Sequence, residues 1–436
     1  MKIAGYEHLE LLLSSKKNKY YQISFADSPA YNFIKANIPP KNLITLKSDG
    51  KLKSLYLDEN KILQKTDVVD KLNVKNIKAF APIDSSSTYK EKLAKDKGLT
   101  IIAQPWKTQK KFENKIFFEK LLTKNDLPKP KGWILKSAKD IELINKFPAV
   151  LQSPNSSGSR GTFFLNNKKE IEKTIESEKL KFPLLCREFI NGLPLGITIL
   201  IGKKEIILSA LRLQMYFTKK DGTSVYYGTQ WIKESDLSKE VIKKIETNIL
   251  KIGEILISQK FHGIANFDFM IKDKEIFFIE CNPRLVGPSP QMSNTKELLH
   301  DLDFSEEFIN ASTNKKLSSH KPSIPDTKFK GCTVDLDSLK SQLQNIRVKE
   351  LPKIGYYKIE KNKLEYVSEK INDYNKANLI LLKHSLLPNE KINKNSLLGF
   401  AFTNEQMSEI HGNTYKITKN GEKTLNALQW ILGKKY

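Results

Sequence analysis

The chain of 436 residues has only three cysteines, Cys186, Cys281 and Cys332, far apart and without C-x-x-C spacing. That argues against a disulfide framework or a thiolate zinc site and suits a reducing cytoplasm. The six histidines show no ligand-like spacing, and no Ser-His or Cys-His arrangement suggests a nucleophilic enzyme. No apolar run approaches the roughly 18 residues of a membrane span. The opening stretch MKIAGYEHLELLLSSKK is interrupted by Glu7, His8 and Glu10, so it does not read as a signal peptide. Neither G-x-G-x-x-G nor G-x-x-x-x-G-K-[ST] occurs, which removes the dinucleotide fingerprint and the Walker loop. There are no internal repeats. A cytoplasmic protein with no membrane partner is expected.

Positive charge is abundant: 73 Lys and Arg against 49 Asp and Glu give a net +24. Such an excess suits nucleic acid, an anionic membrane or acidic substrates. The lysines are nevertheless spread along the chain, with no Arg-rich or aromatic-interleaved stripe, as on a well-solvated lysine-rich surface. Nucleic acid is therefore not the expected partner, while anionic small molecules such as ATP are favoured. A hydrophobic fraction of 39% over this length supports two or three globular domains.

Residues 1–110 alternate short apolar runs with helical stretches. YQISFA (21–26), NIKAFAPID (76–84) and LTIIAQP (99–105) read as strands, and the serines before YKEKLAKDKG as a helix cap. This spacing predicts a parallel, Rossmann-like domain. In 111–315, an amphipathic helix after 113 leads to a strand ending near Leu135. The strand FPAVLQ (147–152), the loop SPNSSGSRG (153–161) and the strand TFFL (162–165) follow as a long-tipped hairpin. LLCREFI, ITILIG and EIILSALRL continue an antiparallel set, with a lid subdomain over about 133–190. A helix over 237–260 precedes the paired strands HGIANFDFMI (262–271) and EIFFIECNP (275–283). After a proline-bearing linker at 320–328, a small C-terminal α+β domain (316–436) carries no chemical motif and could cap a cleft or hold a partner. The expected class is α/β (α+β).

The chemistry concentrates in the last hairpin of the middle region. Glu280 and Asn282 are two apart and share a strand face, and Asp268 on the partner strand can meet them. Two carboxylates and an amide oxygen are hard ligands suited to Mg²⁺ held together with phosphates. The alternative is a set of strand-end polar residues with Asp268 paired to a lysine. Arg284, just beyond Pro283, could neutralise a developing phosphoryl charge or simply lie on the surface. The Ser/Gly loop permits close approach of backbone N–H groups to phosphate, although most such loops only connect strands. Arg212, Gln214, Tyr227 and Gln230 could line a substrate pocket or form cross-strand pairs.

The order PAVLQSPNSSGSRGTFF, CREFINGLP, GIANFDFMI and FFIECNPRLVGPS resembles the ATP-grasp superfamily of carboxylate–amine ligases over roughly residues 75–300, with E-x-N-P-R its most specific part. The resemblance implies a two-subdomain ATP-grasp fold using ATP and Mg²⁺, with Asp268, Glu280 and Asn282 as metal ligands. It implies that Arg284 steadies the transferred phosphoryl group and that the loop at Ser157, Gly158 and Ser159 is a lid over the phosphates. Arg187, Glu188, Phe189 and Ile190 would form the adenine-holding hinge, and Lys115, in an Asn114-Lys115 pair, a nucleotide-binding lysine. Two positions depart from the family pattern. Gln152 stands where a phosphate-binding lysine is usual, and Leu193-Pro194 where many members have a ribose-binding carboxylate. The implied reaction joins a small-molecule carboxylate to an amine, as in an amino-acid or peptide ligase, through an acyl-phosphate. The rival readings are a biotin-carboxylase-like enzyme and a non-catalytic nucleotide- or nucleic-acid-binding protein.

Overall fold

The computed structural model describes residues 1–14, 19–48, 59, 62, 64–83, 85–156, 161–218, 224–339, 343, 351–370, 379–386, 391–393, 396 and 398–432. Strands β1 (Ile3–Tyr6), β2 (Tyr20–Phe25), β3 (Leu43–Leu46), β4 (Ala79–Ala81) and β5 (Thr100–Ile101) form a parallel sheet in the order β3-β2-β1-β4-β5. Every residue of β1, β2 and β4 is buried, as a parallel sheet covered on both faces requires. The expected helix cap is Ser87, whose Oγ accepts from Lys90 N at 3.1 Å at the head of the helix Thr88–Asp96.

A second, antiparallel sheet of β6 (Gly132–Leu135), β7 (Ala149–Gln152), β8 (Thr162–Leu165) and β9 (Leu184–Glu188) runs in the order β6-β9-β7-β8. Its inward face holds Leu135, Ala149, Leu151, Leu184 and Cys186 over their own small core. Ser157, Gly158 and Ser159 lie outside the described residues.

The third sheet is the largest. Its strands are β10 (Leu193–Ile201), β11 (Ile206–Leu208), β12 (Arg212–Thr218), β13 (Ser224–Trp231), β14 (Gly263–Lys272), β15 (Glu275–Asn282), β16 (Cys332–Asp335), β17 (Gly355–Glu360), β18 (Lys363–Ser368), β19 (Leu379–His384) and β20 (Gly399–Thr403). They are ordered β15-β14-β10-β12-β13-β16-β20-β19-β17-β18, with β11 paired to β10. The C-terminal strands thus extend the sheet of the middle region rather than form a sheet of their own. A hairpin of β21 (Ser408–His411) and β22 (Thr414–Ile417) and the helix Lys419–Leu432 complete the chain. The helix Lys239–Ser258 buries Val241, Ile245, Ile249, Ile252 and Leu256 along one stripe against this sheet. Among the described residues, no helix is long and apolar enough to cross a membrane.

Arg187 fastens the second sheet to the third and to the helix beside it. Arg187 on β9 points its Nε at Glu119 Oε2 (2.9 Å), and Glu119, on the helix Lys115–Lys124, also holds Lys129 at 2.6 Å. Arg187 Nη1 donates to the carbonyl of Ile279 on β15 at 2.8 Å. Ile279 is the extra residue of a β-bulge, since Asp268 pairs with Glu280 and Phe269 with Phe278, and such a residue is left out of the ladder. Removing one partner of a buried pair strands the other charge, at a cost of about 3–5 kcal/mol. Glu119→Ala is expected to lower stability by that amount in denaturant unfolding, whereas Glu119→Gln, which still accepts from Arg187, should lose less.

Candidate active site

Antiparallel pairing places Asp268 directly opposite Glu280, and Asn266 opposite Asn282. Asn282 Nδ2 donates to Asp268 Oδ2 (3.2 Å) and to Glu280 Oε1 (3.1 Å), so the three side chains meet at one point. Lys115, first residue of the helix capped by Asn114, is buried and reaches Glu280 Oε2 at 3.0 Å while donating to Ser156 O at 2.7 Å. Burial and the charge of Glu280 push the Asp268 carboxyl well above the usual carboxylate range. Burial also works to raise Glu280, but the Lys115 ammonium and the bonds from Asn282 and Asp268 outweigh it and hold Glu280 low. Two opposed carboxylates with an adjacent amide form a donor set for a hard divalent cation. A half-turn of the Asn282 amide would present its oxygen to the same point.

Behind these ligands lies a polar relay. Arg212 is buried and donates to Thr198 Oγ1 (2.8 Å) and Asn266 Oδ1 (3.1 Å). Asn266 Nδ2 in turn donates to the carbonyls of Arg284 (2.6 Å) and Asn282 (3.2 Å). This chain fixes the backbone where β15 leaves the sheet, and so sets the direction of Arg284. The Arg284 Nε is held at 3.2 Å from Glu113 Oε1, a partner with no signal in the sequence because it lies far upstream.

A cavity of about 1530 Å³ runs between the second and third sheets past this cluster. One end is an apolar slot of Val150, Phe163, Met270 and Ile279 beside the backbone of 188–192. Phe189, expected at the hinge, packs edge-on against Phe164 there (5.7 Å), and Ile190 also lines the slot. The charged groups of the other two hinge residues are engaged elsewhere, Arg187 as described and Glu188 with Lys146 (2.8 Å) and Lys131 N (2.8 Å). Gln152 lines the middle, donating weakly to Thr162 Oγ1 (3.4 Å) and accepting from Arg187 Nη1 (3.5 Å). Lys115, Asp268 and Glu280 follow.

Further lining comes from residues that the sequence did not single out, on the hinge side of the cavity, where Asn413 bonds Asp273 at the β14–β15 turn (2.8 Å). Thr414, Tyr415, Lys416 and Asn426 come from the C-terminal hairpin and helix and face Gln214, Tyr216 and Tyr227. Tyr415 clamps Tyr216 by bonding both its backbone N–H and, at 2.7 Å, its carbonyl. Of the four expected pocket residues, Gln214 and Tyr227 line the cavity, whereas Arg212 and Gln230 do not. Arg212 is turned into the relay. Gln230 is buried, accepting from the N–H groups of Met407 (2.8 Å) and Ser408 (2.7 Å) and donating to Ser408 O (2.9 Å), so it anchors the cap.

Residues 112–288 match the ATP-grasp domain family. The chain is 30% identical over 173 residues to a D-alanine–D-alanine ligase of Fusobacterium nucleatum, covering 38% of this chain and 54% of that protein. It is 26% identical over 247 residues to a phosphoribosylamine–glycine ligase of Clostridium acetobutylicum, covering 51% of this chain and 56% of that one. A match to the arginine-specific carbamoyl phosphate synthase large chain of Geobacillus stearothermophilus, at 23% identity, takes in 45% of this chain and 19% of the relative. The chain thus spans little more than half, or less, of the curated relatives it matches. In fold it is similar to the biotin carboxylase domain of Hydrogenobacter thermophilus 2-oxoglutarate carboxylase, solved with MgADP and bicarbonate, at TM-score 0.63 and 15% identity over 92% of this chain and 85% of that one. It is likewise similar to N5-carboxyaminoimidazole ribonucleotide synthetase from Thermus thermophilus, at TM-score 0.55 and 13% identity over 92% of this chain and 93% of that one. Residues 112–288 are therefore an ATP-grasp domain.

Gly196 on β10 sits between Arg212 and Asp268 in the ladder, and a Cβ there would lie 3.1 Å from Arg212 Nε and 3.2 Å from Asp268 Oδ1. The missing side chain is what lets the guanidinium and the carboxylate approach across it. Gly196→Val is expected to cost about 1–3 kcal/mol through overpacking and to weaken Mg²⁺ binding. Denaturant unfolding and metal titration would check both effects.

Proposed function

We propose that the protein is an ATP-dependent ligase that joins a small carboxylic acid to an amine through an acyl-phosphate. The observation that carries this reading is the convergence of Asp268, Glu280 and Asn282 beside Lys115, at a cavity that also holds an apolar slot. The apolar slot by 188–192 suits a purine ring. Asp268, Glu280 and Asn282 would hold Mg²⁺, which when bound neutralises phosphate charge and acts as a Lewis acid.

The chain's own groups then position and shield the reactants. Lys115 provides a fixed positive charge at the phosphate-facing end, in part making up for the uncharged Gln152. A substrate carboxylate oxygen attacks the γ-phosphorus of ATP and the bond to the β-γ bridging oxygen breaks, giving acyl-phosphate and ADP. Arg284, aimed by the Asn266 relay, stabilises the charge on the transferred group. An amine then attacks the acyl carbon, phosphate departs, and the amine loses a proton as the amide forms. The cap carrying Tyr415 and Lys416 covers part of the same cavity and limits water there.

The ligases among the relatives support an amino acid or peptide as the class of substrate, and the three free, buried cysteines suit the cytoplasm. Bicarbonate belongs in the same test, given the biotin-carboxylase likeness of the fold. Purified protein with Mg-ATP and pooled amino acids or bicarbonate is expected to release ADP and phosphate. Asp268→Asn and Glu280→Gln should each reduce that release by roughly a hundredfold or more, the scale of losing a preorganised charge-stabilising group. ADP release unchanged in Glu280→Gln would refute the assignment.

A further inference from the structure

The C-terminal helix Lys419–Leu432 presents two different faces. Gly421, Thr424, Ala427, Leu428 and Leu432 are buried at helical spacing and seat it on the rest of the molecule. Its first turn sits close because Gly421 has no side chain: a Cβ there would lie 2.4 Å from Met407 O and 2.8 Å from Ile417 Cγ2. Glu422, Leu425, Asn426 and Gln429, spaced i, i+3, i+4 and i+7, share another face, and all four line the large cavity. A polar stripe on a surface helix is ordinarily turned to bulk water. This one is turned into the cleft.

The hairpin before the helix sets where that stripe stands. Asn413, in the turn between β21 and β22, donates to Asp273 Oδ1 (2.8 Å) and accepts from Asp273 N (3.2 Å), in the turn between β14 and β15. The hinge reaches the same strand end. Leu193 pairs with Ile271, and Gly192 packs so closely there that a Cβ would lie 2.3 Å from Ile271 O. The hairpin and the helix after it are thus pinned beside the hinge segment 191–194, next to the slot that suits a purine ring.

Among the described residues, four carboxylates line this cavity: Glu188, Asp268, Glu280 and Glu422. Glu188 is committed to Lys146 and Lys131 N. Asp268 and Glu280 form the cluster with Asn282 and Lys115. No hydrogen bond or ion pair among the described residues engages the Glu422 carboxylate. The strand that leaves the hinge offers no acceptor side chain of its own at its start, since Leu193 is buried and Pro194 has neither an N–H nor a polar group. A purine ribonucleotide seated in the slot brings two neighbouring hydroxyls on its sugar, both of them donors. A carboxylate has two acceptor oxygens and can take both. Set against the triphosphate it would repel, so the nucleoside end is where an uncommitted glutamate helps binding.

We infer that Glu422 receives the 2′- and 3′-hydroxyls of the nucleotide's ribose, so that the C-terminal helix, and not the hinge strand, selects a ribonucleotide. The inference rests on the ATP-binding half of the reading above and adds which residue recognises the sugar. It also gives the region beyond residue 316 a part in the nucleotide site.

Calorimetric titration of the full chain with the Mg²⁺ complexes of ATP, 2′-deoxy-ATP and 3′-deoxy-ATP tests it, in the unsubstituted protein, Glu422→Ala and Glu422→Gln. The unsubstituted protein should bind ATP about tenfold more tightly than either deoxy analogue. Glu422→Ala should weaken ATP by about tenfold and the analogues by less, shrinking the preference to about twofold or under. Glu422→Gln, which keeps one acceptor oxygen without the charge, should fall between. A merely structural role for Glu422 would lower all three affinities alike, and that result overturns the inference. So does equal binding of ATP and both analogues by the unsubstituted protein, or a preference that Glu422→Ala leaves intact. Glu422 is exposed and alanine is a strong helix former, so the variant should keep its cooperative thermal transition. Should it not, Glu422→Gln decides by the same ratio. ATP binding without the sugar preference sinks this inference and leaves the ligase reading standing, whereas no binding of any of the three nucleotides sinks both.

Discussion

The site depends on a repulsion. Asp268 and Glu280 face each other across an antiparallel ladder, where like charges are unfavourable. Burial compounds the cost, because neither carboxylate is fully hydrated. The neighbouring groups are arranged as countermeasures: Lys115 against Glu280, Arg212 near Asp268, and the Asn282 amide between them. A protein of ordinary stability does not keep such an arrangement for packing alone. The pair supplies the hard oxygen donors that the proposed Mg²⁺ site requires, and the cavity beside it has room for a nucleotide.

Much of this was legible in the sequence. Strand alternation and the short turn at 272–274 were enough to bring Asp268, Glu280 and Asn282 to one face, because a tight hairpin leaves little choice of register. The Rossmann-like sheet and the order of hairpin, antiparallel set, helix and hairpin were readable for the same reason, since each is a local pattern. Long-range pairings were not readable. Nothing in ALRLQMY indicates that Arg212 reaches Asn266 rather than a substrate, and nothing in VYYGTQWI indicates that Gln230 holds the backbone at 407–408. The cap residues Thr414–Asn426 carry no motif because their role comes from where a hairpin folds back. The sequence also divided the chain at about 316, where a domain boundary is still a reasonable proposal, yet hydrogen bonding runs unbroken across it from β13 to β16.

The large cavity and a smaller hollow at the end of β1 share Arg284 as a neighbour in different ways. Its charge is felt at Asp268, while the residue itself lines the smaller hollow. Its direction is set from the core by Asn266 and from outside by Glu113. An arginine held from two sides keeps its direction between the two cavities.

The continuity of the third sheet has a mechanical meaning. From β15, which carries the carboxylates, to β18 at the opposite edge, every strand is bonded to the next, and Gln230 and Tyr415 rivet the C-terminal cap to that span. The floor of the large cavity and its C-terminal wall therefore belong to one hydrogen-bonded span. The four-stranded sheet above is joined to that span by Arg187, which bonds the Ile279 carbonyl, and to the helix Lys115–Lys124 through Glu119.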